Sequence, residues 1–92
     1  MAELSSMRNI GREMTRKLAS VGIGSPEKLR ELGAKQAYFR LKEVYPQVCL
    51  VHLYVLEGAV CDLPYNGLPE DKKRELKAFS DFLSGRAPAG QP

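Results

Sequence analysis

The sequence predicts an all-α fold, a small bundle of five helices. Apolar residues recur at intervals of three and four along most of the chain, the spacing that places side chains on one face of a helix. Glycines and prolines separate these stretches, as expected for short helices joined by turns. With 92 residues, of which 43% are hydrophobic, the chain can bury a single core. We therefore expect one domain over residues 1–84 and a disordered tail over residues 85–92.

The N-terminal part of the chain predicts a helical hairpin. A short turn over residues 4–7 leads into a tight turn at residues 9–11, where Asn9 tolerates the left-handed backbone conformation. Residues 4–32 thus resemble a helix-hairpin-helix unit, in which a hydrophobic residue, here Ile10, pins the turn. In such a unit, backbone N–H groups at the start of the following helix can face a phosphate.

Helix boundaries in the middle of the chain follow from capping signals. Gly22 suits the left-handed position that follows the last turn of a helix. Ser25 and Pro26 are typical of a helix start, since the hydroxyl accepts a backbone N–H and proline fits the first helical position. We expect this helix to end near Gly33 and the next one to cover residues 34–45.

The apolar stretch over residues 48–61 is compatible with a helix or a strand from its pattern alone. Its length favours a helix, and a lone strand would leave backbone groups unpaired, because no other segment has strand spacing. We therefore predict a central helix here and an amphipathic helix over residues 70–84. The side chains predicted to face the core from the other helices are Met14, Leu18, Val21, Leu29, Leu32, Ala37, Tyr38, Leu41, Val44, Leu76, Phe79 and Leu83.

The charge distribution is uneven along the chain. The net charge is +3, but residues 1–46 carry +4 and residues 47–92 carry −1. This excess allows an anionic partner for the first half. We expect no membrane association, because the longest apolar stretch is too short to cross a bilayer and no signal peptide is visible. Without an export signal, Cys49 and Cys61 indicate reduced thiols and a cytoplasmic location.

The positive charge near the hairpin defines a candidate DNA-binding surface. It consists of Asn9, Ile10, Gly11, Arg12, Arg16 and Lys17. The cations would contact phosphates without reading the base sequence, and the contacts would weaken with salt. The alternative is an ordinary solvated helix face, in which Glu13 dilutes the positive charge.

No set of residues predicts catalysis, a metal or a cofactor. Cys49 and His52 are three residues apart, but a structural zinc site needs four ligands. A buried thiol and a hydrogen-bonded or partly exposed core histidine are the simpler interpretation. Glu57 in the central helix has no catalytic mate, so we expect a structural role, either in capping a loop backbone or in a salt bridge to Arg8 or Arg12. We therefore predict neither an enzyme nor a small-molecule substrate.

An ordered series of short motifs resembles the C-terminal domain of the TfoX/Sxy competence-regulator family. The matching residues include 7–11, Leu18, 21–23, Ser25, 29–34, 37–38, 41–42, 53–54, 56–59, 68–69 and 75–77. The resemblance covers about residues 5–78. It implies an all-helical fold with a helix-hairpin-helix-like unit and a role connected with the regulation of DNA-uptake genes.

These observations predict a non-enzymatic, macromolecule-binding module. We favour protein interaction or self-association, with an exposed apolar patch that involves Phe82, Tyr65 or Tyr45. For Tyr38, Tyr54 and Tyr65 together, the simpler prediction is that they fill the edge of a small core. The alternative function is DNA binding through the hairpin turn, which a test with duplex DNA separates from protein interaction.

Overall fold

The structure, a computed structural model, describes residues 4–85 and is all-helical within them. The α-helices are α1 (Arg12–Ser20), α2 (Pro26–Val44), α3 (Leu50–Cys61) and α4 (Glu70–Gly85), and short 3₁₀ helices occupy Leu4–Ser6 and Tyr65–Gly67. The all-α prediction is confirmed. The predicted count of five helices is wrong, because the described residues form four α-helices.

The difference in helix count arises at Gly33. The helices predicted on either side of this residue belong to one element, α2, which is kinked where Gly33 adopts φ +86° and ψ 162°. This left-handed backbone conformation is accessible to glycine at little cost. The predicted start of the element is confirmed, since the Ser25 hydroxyl accepts the Lys28 N–H at 3.1 Å and Pro26 occupies the first helical position.

The N-terminal hairpin has the predicted turns. Asn9 adopts φ +71° before α1, and Gly22 adopts φ +87° after it. The Ile23 N–H donates to the Leu18 carbonyl at 2.9 Å, a hydrogen bond that closes the C-terminal end of α1. The segment before the turn is only the 3₁₀ helix Leu4–Ser6, as the prediction of a short turn there implied.

Helix α3 crosses the middle of the molecule and confirms the helical interpretation of the long apolar stretch. It packs on α2, on α4 and on the 3₁₀ helix Tyr65–Gly67. The fully buried side chains of the core come from α3 itself and from the segments packed around it. They include Leu4, Leu18, Ile23, Leu29, Tyr38, Leu41, Val48, Leu53, Leu56 and Leu76.

The second half of α2 runs in the same direction as α4, since Lys35 pairs with Glu75 and Tyr38 contacts Ser80. The prediction that Val44 faces the core is wrong, because its side chain is 55% exposed at the last residue of α2. Of the predicted tail, residues 86–92 lie outside the described residues, and Gly85 is the last residue of α4.

Candidate functional site

The turn of the hairpin is held by the side chain of Asn9. Its Nδ2 donates to the Leu63 carbonyl at 2.9 Å, and its Oδ1 accepts the Tyr65 N–H at 3.3 Å. Gly58 on α3 permits this approach, because a Cβ at that position would collide with Asn9 Nδ2 and would lie 2.5 Å from the Leu63 oxygen. The polar groups of this side chain are therefore used inside the protein and are not available to a partner.

The next two residues of the candidate surface have different environments. Ile10 is 5% exposed and packs in the core, as expected for the residue that pins the turn. Gly11 is exposed and precedes α1 in an extended conformation, and no side chain caps the helix there. The Thr15 hydroxyl donates a hydrogen bond to the Gly11 carbonyl at 2.8 Å.

The cations of α1 are engaged to different degrees. The Arg16 guanidinium donates to Glu13 at 2.6 Å, and the Lys17 ammonium lies 5.4 Å from the centre of the Tyr45 ring. Arg12 is exposed and has no ion pair or hydrogen bond with any residue that the structure describes. The six residues predicted to bind DNA thus lie together on the hairpin and α1, but only Arg12 presents a cation without an internal partner.

A groove of about 260 Å³ with a largely apolar lining, to which Met14 contributes, lies behind the turn between α1 and the first turn of α3. Lys17 and Glu13 line it from α1, and His52 and Val55 line it from α3. The pKa of His52 is held below its ordinary value of 6.5, mainly by partial burial and also by the positive charge of Lys17. The sequence pattern alone does not place His52 beside the hairpin.

Cys49 and His52 form a cap at the start of α3. The Cys49 N–H donates to His52 Nδ1 at 3.0 Å, and the cysteine sulfur accepts the backbone N–H of His52. Both cysteines are exposed, so the expectation of a buried thiol is wrong. The spacing of three residues was the signal for this capping box, although cysteine is not its usual first residue. Within residues 4–85, no three metal-ligating side chains come together.

Glu57 makes structural contacts, but not with the predicted arginines. Its side chain is 13% exposed and lies 3.9 Å from the Lys72 ammonium. The Cys61 thiol donates to Glu57 Oε2 at 3.2 Å, and burial together with this carboxylate raises the pKa of the thiol. Arg8 instead pairs with Asp62 at 3.3 Å, next to the C-terminal end of α3.

An apolar groove of about 120 Å³ separates the C-terminal ends of α2 and α4. Phe39 and Leu83 face each other across it, and Phe39 is 37% exposed. Phe82, beside Leu83 on α4, is 65% exposed, as predicted for an apolar patch. Tyr45, by contrast, is half-buried, and its hydroxyl lies 2.7 Å from that of Ser20.

The other tyrosines divide between core and surface. Tyr38 is fully buried and Tyr54 is half-buried, which agrees with a role in the core and its edge. Tyr65 is 42% exposed. This exposure agrees with its predicted place in an apolar patch and disagrees with the prediction that it fills the edge of the core. No helix in the described part of the chain has the length and apolar composition needed to cross a membrane.

The sequence of this chain is similar to a known protein family and to a curated relative. The TfoX C-terminal domain family matches residues 1–80. Protein Sxy of Escherichia coli (strain K12) is 32% identical over 81 residues, which are 88% of this chain and 39% of Sxy. The chain therefore spans well under half of the length of that relative.

Two crystal structures of Listeria monocytogenes proteins have the same fold. An uncharacterized protein in a triclinic crystal form is 43% identical, with a TM-score of 0.89 over 91% of this chain and 96% of that one. A protein of unknown function in a tetragonal form is 42% identical, with a TM-score of 0.84 over 87% of this chain and 98% of that one. From the family match over residues 1–80 and this shared helical fold, we conclude that the chain belongs to the TfoX C-terminal domain family.

Proposed function

We propose that this chain is a regulatory protein-interaction module that makes its contact at the apolar groove between α2 and α4. The observation that carries the proposal is the exposure of large apolar side chains around one groove, with Phe39 and Leu83 on its walls. Lys42 and Glu43 complete the lining, and Phe82 and Val44 are further exposed apolar side chains on the same two helices. A patch of exposed apolar side chains rimmed by polar residues is typical of a protein contact.

The family supports this assignment to a non-enzymatic role. The chain is a module related to competence regulators, and its family is one of regulatory domains and not a known family of enzymes. A groove of about 120 Å³ has room for one or two apolar side chains of a partner, but not for a large ligand. We propose that the contact is made in the cytoplasm, with a second copy or with another protein.

Substitution in the groove tests this contact. We expect the purified chain to exceed its monomer mass of 10.2 kDa in sedimentation equilibrium as concentration rises, or to capture a specific protein from the native cell. Phe39→Asp should abolish either effect, because an unpaired carboxylate is costly to bury in an apolar contact. Val51→Asp is the matched control, since Val51 is 50% exposed on α3 and does not line the groove. The proposal would be contradicted if the chain stays monomeric and every protein that it captures is also captured by Phe39→Asp.

A second candidate function, DNA binding through the hairpin, is favoured by a different observation. Asn9 supplies the left-handed turn, and Arg12 extends into solvent from the first residue of α1 without an internal partner. Contacts of such cations with phosphates are independent of base sequence and weaken with salt.

Titration of duplex DNA at low and moderate salt tests the second candidate. We expect binding at low salt that weakens as salt rises and is lost in Arg12→Glu/Arg16→Glu. The control is Arg74→Glu, which places the same charge change on α4, away from the hairpin. Absence of binding at both salt concentrations, or equal binding by the double variant, would exclude this function.

A further inference from the structure

The groove behind the hairpin turn brings two hydrogen-bond donors of different elements together. Lys17 reaches it from α1 and His52 from the first turn of α3, and its volume is about 260 Å³. We propose that this groove binds a phosphate group, which accepts hydrogen bonds from the Lys17 ammonium and from His52 Nε2. The proposal rests neither on the apolar contact surface nor on the binding of duplex DNA.

The hydrogen bonding of His52 leaves one ring nitrogen as a donor. Nδ1 accepts the Cys49 N–H at 3.0 Å, so the proton of the neutral imidazole resides on Nε2. No residue in the described part of the chain accepts a hydrogen bond from Nε2. The cap therefore fixes the ring at the edge of the groove and assigns it the role of a donor.

The charge around His52 is positive on balance. Lys17 from α1 lines the groove together with His52, and the positive charges of Lys17 and of Lys42 on α2 lower the pKa of His52. Glu13 also lines the groove, but Arg16 compensates its charge through a 2.6 Å contact. Among the described residues, no carboxylate pairs with Lys17, and its ammonium group rests near the Tyr45 ring.

These features favour an oxyanion over other ligands. A cation would be repelled by Lys17 and Lys42, while a neutral apolar ligand could contact Met14 and Val55 but would leave the Lys17 ammonium and His52 Nε2 without an acceptor. A phosphate offers several acceptor oxygens and can accept from Lys17 and His52 at once. The groove is larger than an isolated phosphate, so the group can belong to a nucleotide or to a nucleic-acid backbone, which the experiment distinguishes.

Nuclear magnetic resonance provides a direct test, because His52 is the single histidine of the chain. Inorganic phosphate is titrated into the protein in a low-salt buffer that is otherwise free of phosphate. We expect the ring resonances of His52 to shift in a saturable manner and its pKa to rise, since a bound anion stabilises the imidazolium. Absence of a shift at millimolar phosphate would overturn the proposal.

Variants separate the groove from general surface charge. Lys17→Gln should weaken phosphate binding by about fivefold, the upper end for one exposed charge contact, and Arg74→Gln should leave it unchanged. His52→Glu retains an acceptor for the α3 cap but places a negative charge in the groove, so calorimetry should show no phosphate binding. A normal urea transition of each variant verifies folding. Unchanged phosphate affinity in Lys17→Gln, or phosphate binding by a folded His52→Glu, would refute the proposed site.

The source of the phosphate is distinguished by comparing a nucleoside monophosphate with a short duplex DNA. If both shift His52 and inorganic phosphate competes with the DNA, the groove binds backbone phosphate. If only the monophosphate shifts His52, the groove binds small phosphorylated molecules, and the second candidate function fails only if the duplex also shows no binding to the protein. If the duplex binds but no phosphate compound shifts His52, the phosphate site is overturned while DNA binding by the hairpin is preserved.

Discussion

The hairpin and the α2–α4 pair are joined to the rest of the molecule by different kinds of contact. At the hairpin, Asn9 makes hydrogen bonds to the backbone of Leu63 and Tyr65, and Gly58 leaves room for it. Between α2 and α4, side chains meet side chains. Tyr38 packs 6.4 Å from Phe79 between ring centres, and its hydroxyl lies 3.1 Å from that of Ser80.

The difference shows which side chains remain available to a partner. In the hairpin, the side chains of Asn9 and Arg16 already have partners within the protein. Between α2 and α4, the contacts of Tyr38 are buried in the interior, whereas Phe39 on α2 and Phe82 on α4 are exposed. A basic segment of sequence therefore overstates the charge available for binding, whereas the exposed apolar residues are a more direct indication of a contact.

The largest effect is expected from Gly58→Ala. The added methyl group has no space between Asn9 and the Leu63 carbonyl, so the hairpin must move away from α3. We expect a loss of about 3 kcal/mol in the free energy of unfolding, measured by urea denaturation. Gly24→Ala is the control, because a Cβ there has no atom within 4 Å. Equal stability of the two variants would show that the close approach is not required.

Substitution of Asn9 separates its backbone conformation from its hydrogen bonds. Asn9→Ala loses both hydrogen bonds and places alanine at φ +71°, so we expect a destabilisation of about 2 kcal/mol. Asn9→Gly restores the conformational freedom but not the hydrogen bonds, and should recover about half of the loss. If Asn9→Gly were as stable as the unmodified chain in urea denaturation, the side chain would not join the hairpin to α3.

In the α2–α4 pair, Tyr38→Phe tests the buried polar contact between the two helices. The variant keeps the ring but leaves the buried Ser80 hydroxyl without its partner, which we expect to cost about 1.5 kcal/mol. Tyr38→Phe/Ser80→Ala removes both groups and should regain part of this stability. A double variant less stable than the sum of the two single variants would contradict this account.

The smallest effect is the pH dependence that His52 contributes. Its pKa in the folded protein lies below the ordinary value of 6.5, so the unfolded chain binds the proton more strongly. The contribution of His52 is therefore complete above pH 6.5 and is lost as the pH falls through the lower pKa of the folded state. The change should stay below about 1 kcal/mol, because the partly exposed ring is screened by solvent.

Comparison of His52→Gln with the unmodified chain isolates that contribution. Glutamine retains an acceptor for the α3 cap but does not titrate. The urea midpoint of the unmodified chain should therefore fall relative to that of His52→Gln as pH is lowered from 7 to 5, a window placed around the ordinary histidine pKa of about 6.5. A constant difference across this range would show that the histidine does not titrate with folding.

Most of the fold follows from local patterns. The helical spacing, the Ser25 cap and the positive φ of Asn9 and Gly22 all depend on neighbouring residues, and the sequence predicted each of them. The helix count was wrong at Gly33, since a glycine signals an irregular backbone but does not show whether the helix ends or continues after a kink. Val44 was misplaced because helical spacing marks a face, not whether another element covers it.

The candidate site was predictable only in its location. The basic residues do lie together on α1, as their spacing indicated. Their internal partners were not visible in the pattern, because Asn9 reaches Leu63 and Tyr65 at separations of 54 and 56 residues. Glu57 likewise pairs with Lys72 and not with the arginines expected for it.

The amino-acid order alone specifies the helices, their caps and the family, because periodicity, turn chemistry and family motifs are local properties. It does not specify which charges remain available or which apolar side chains remain exposed. Those properties depend on the approach of distant segments to one another, such as Asn9 to Leu63 and α1 to the first turn of α3. The approach of α1 to α3 therefore places Lys17 and His52 on one groove, and the packing of α2 and α4 creates a separate apolar one.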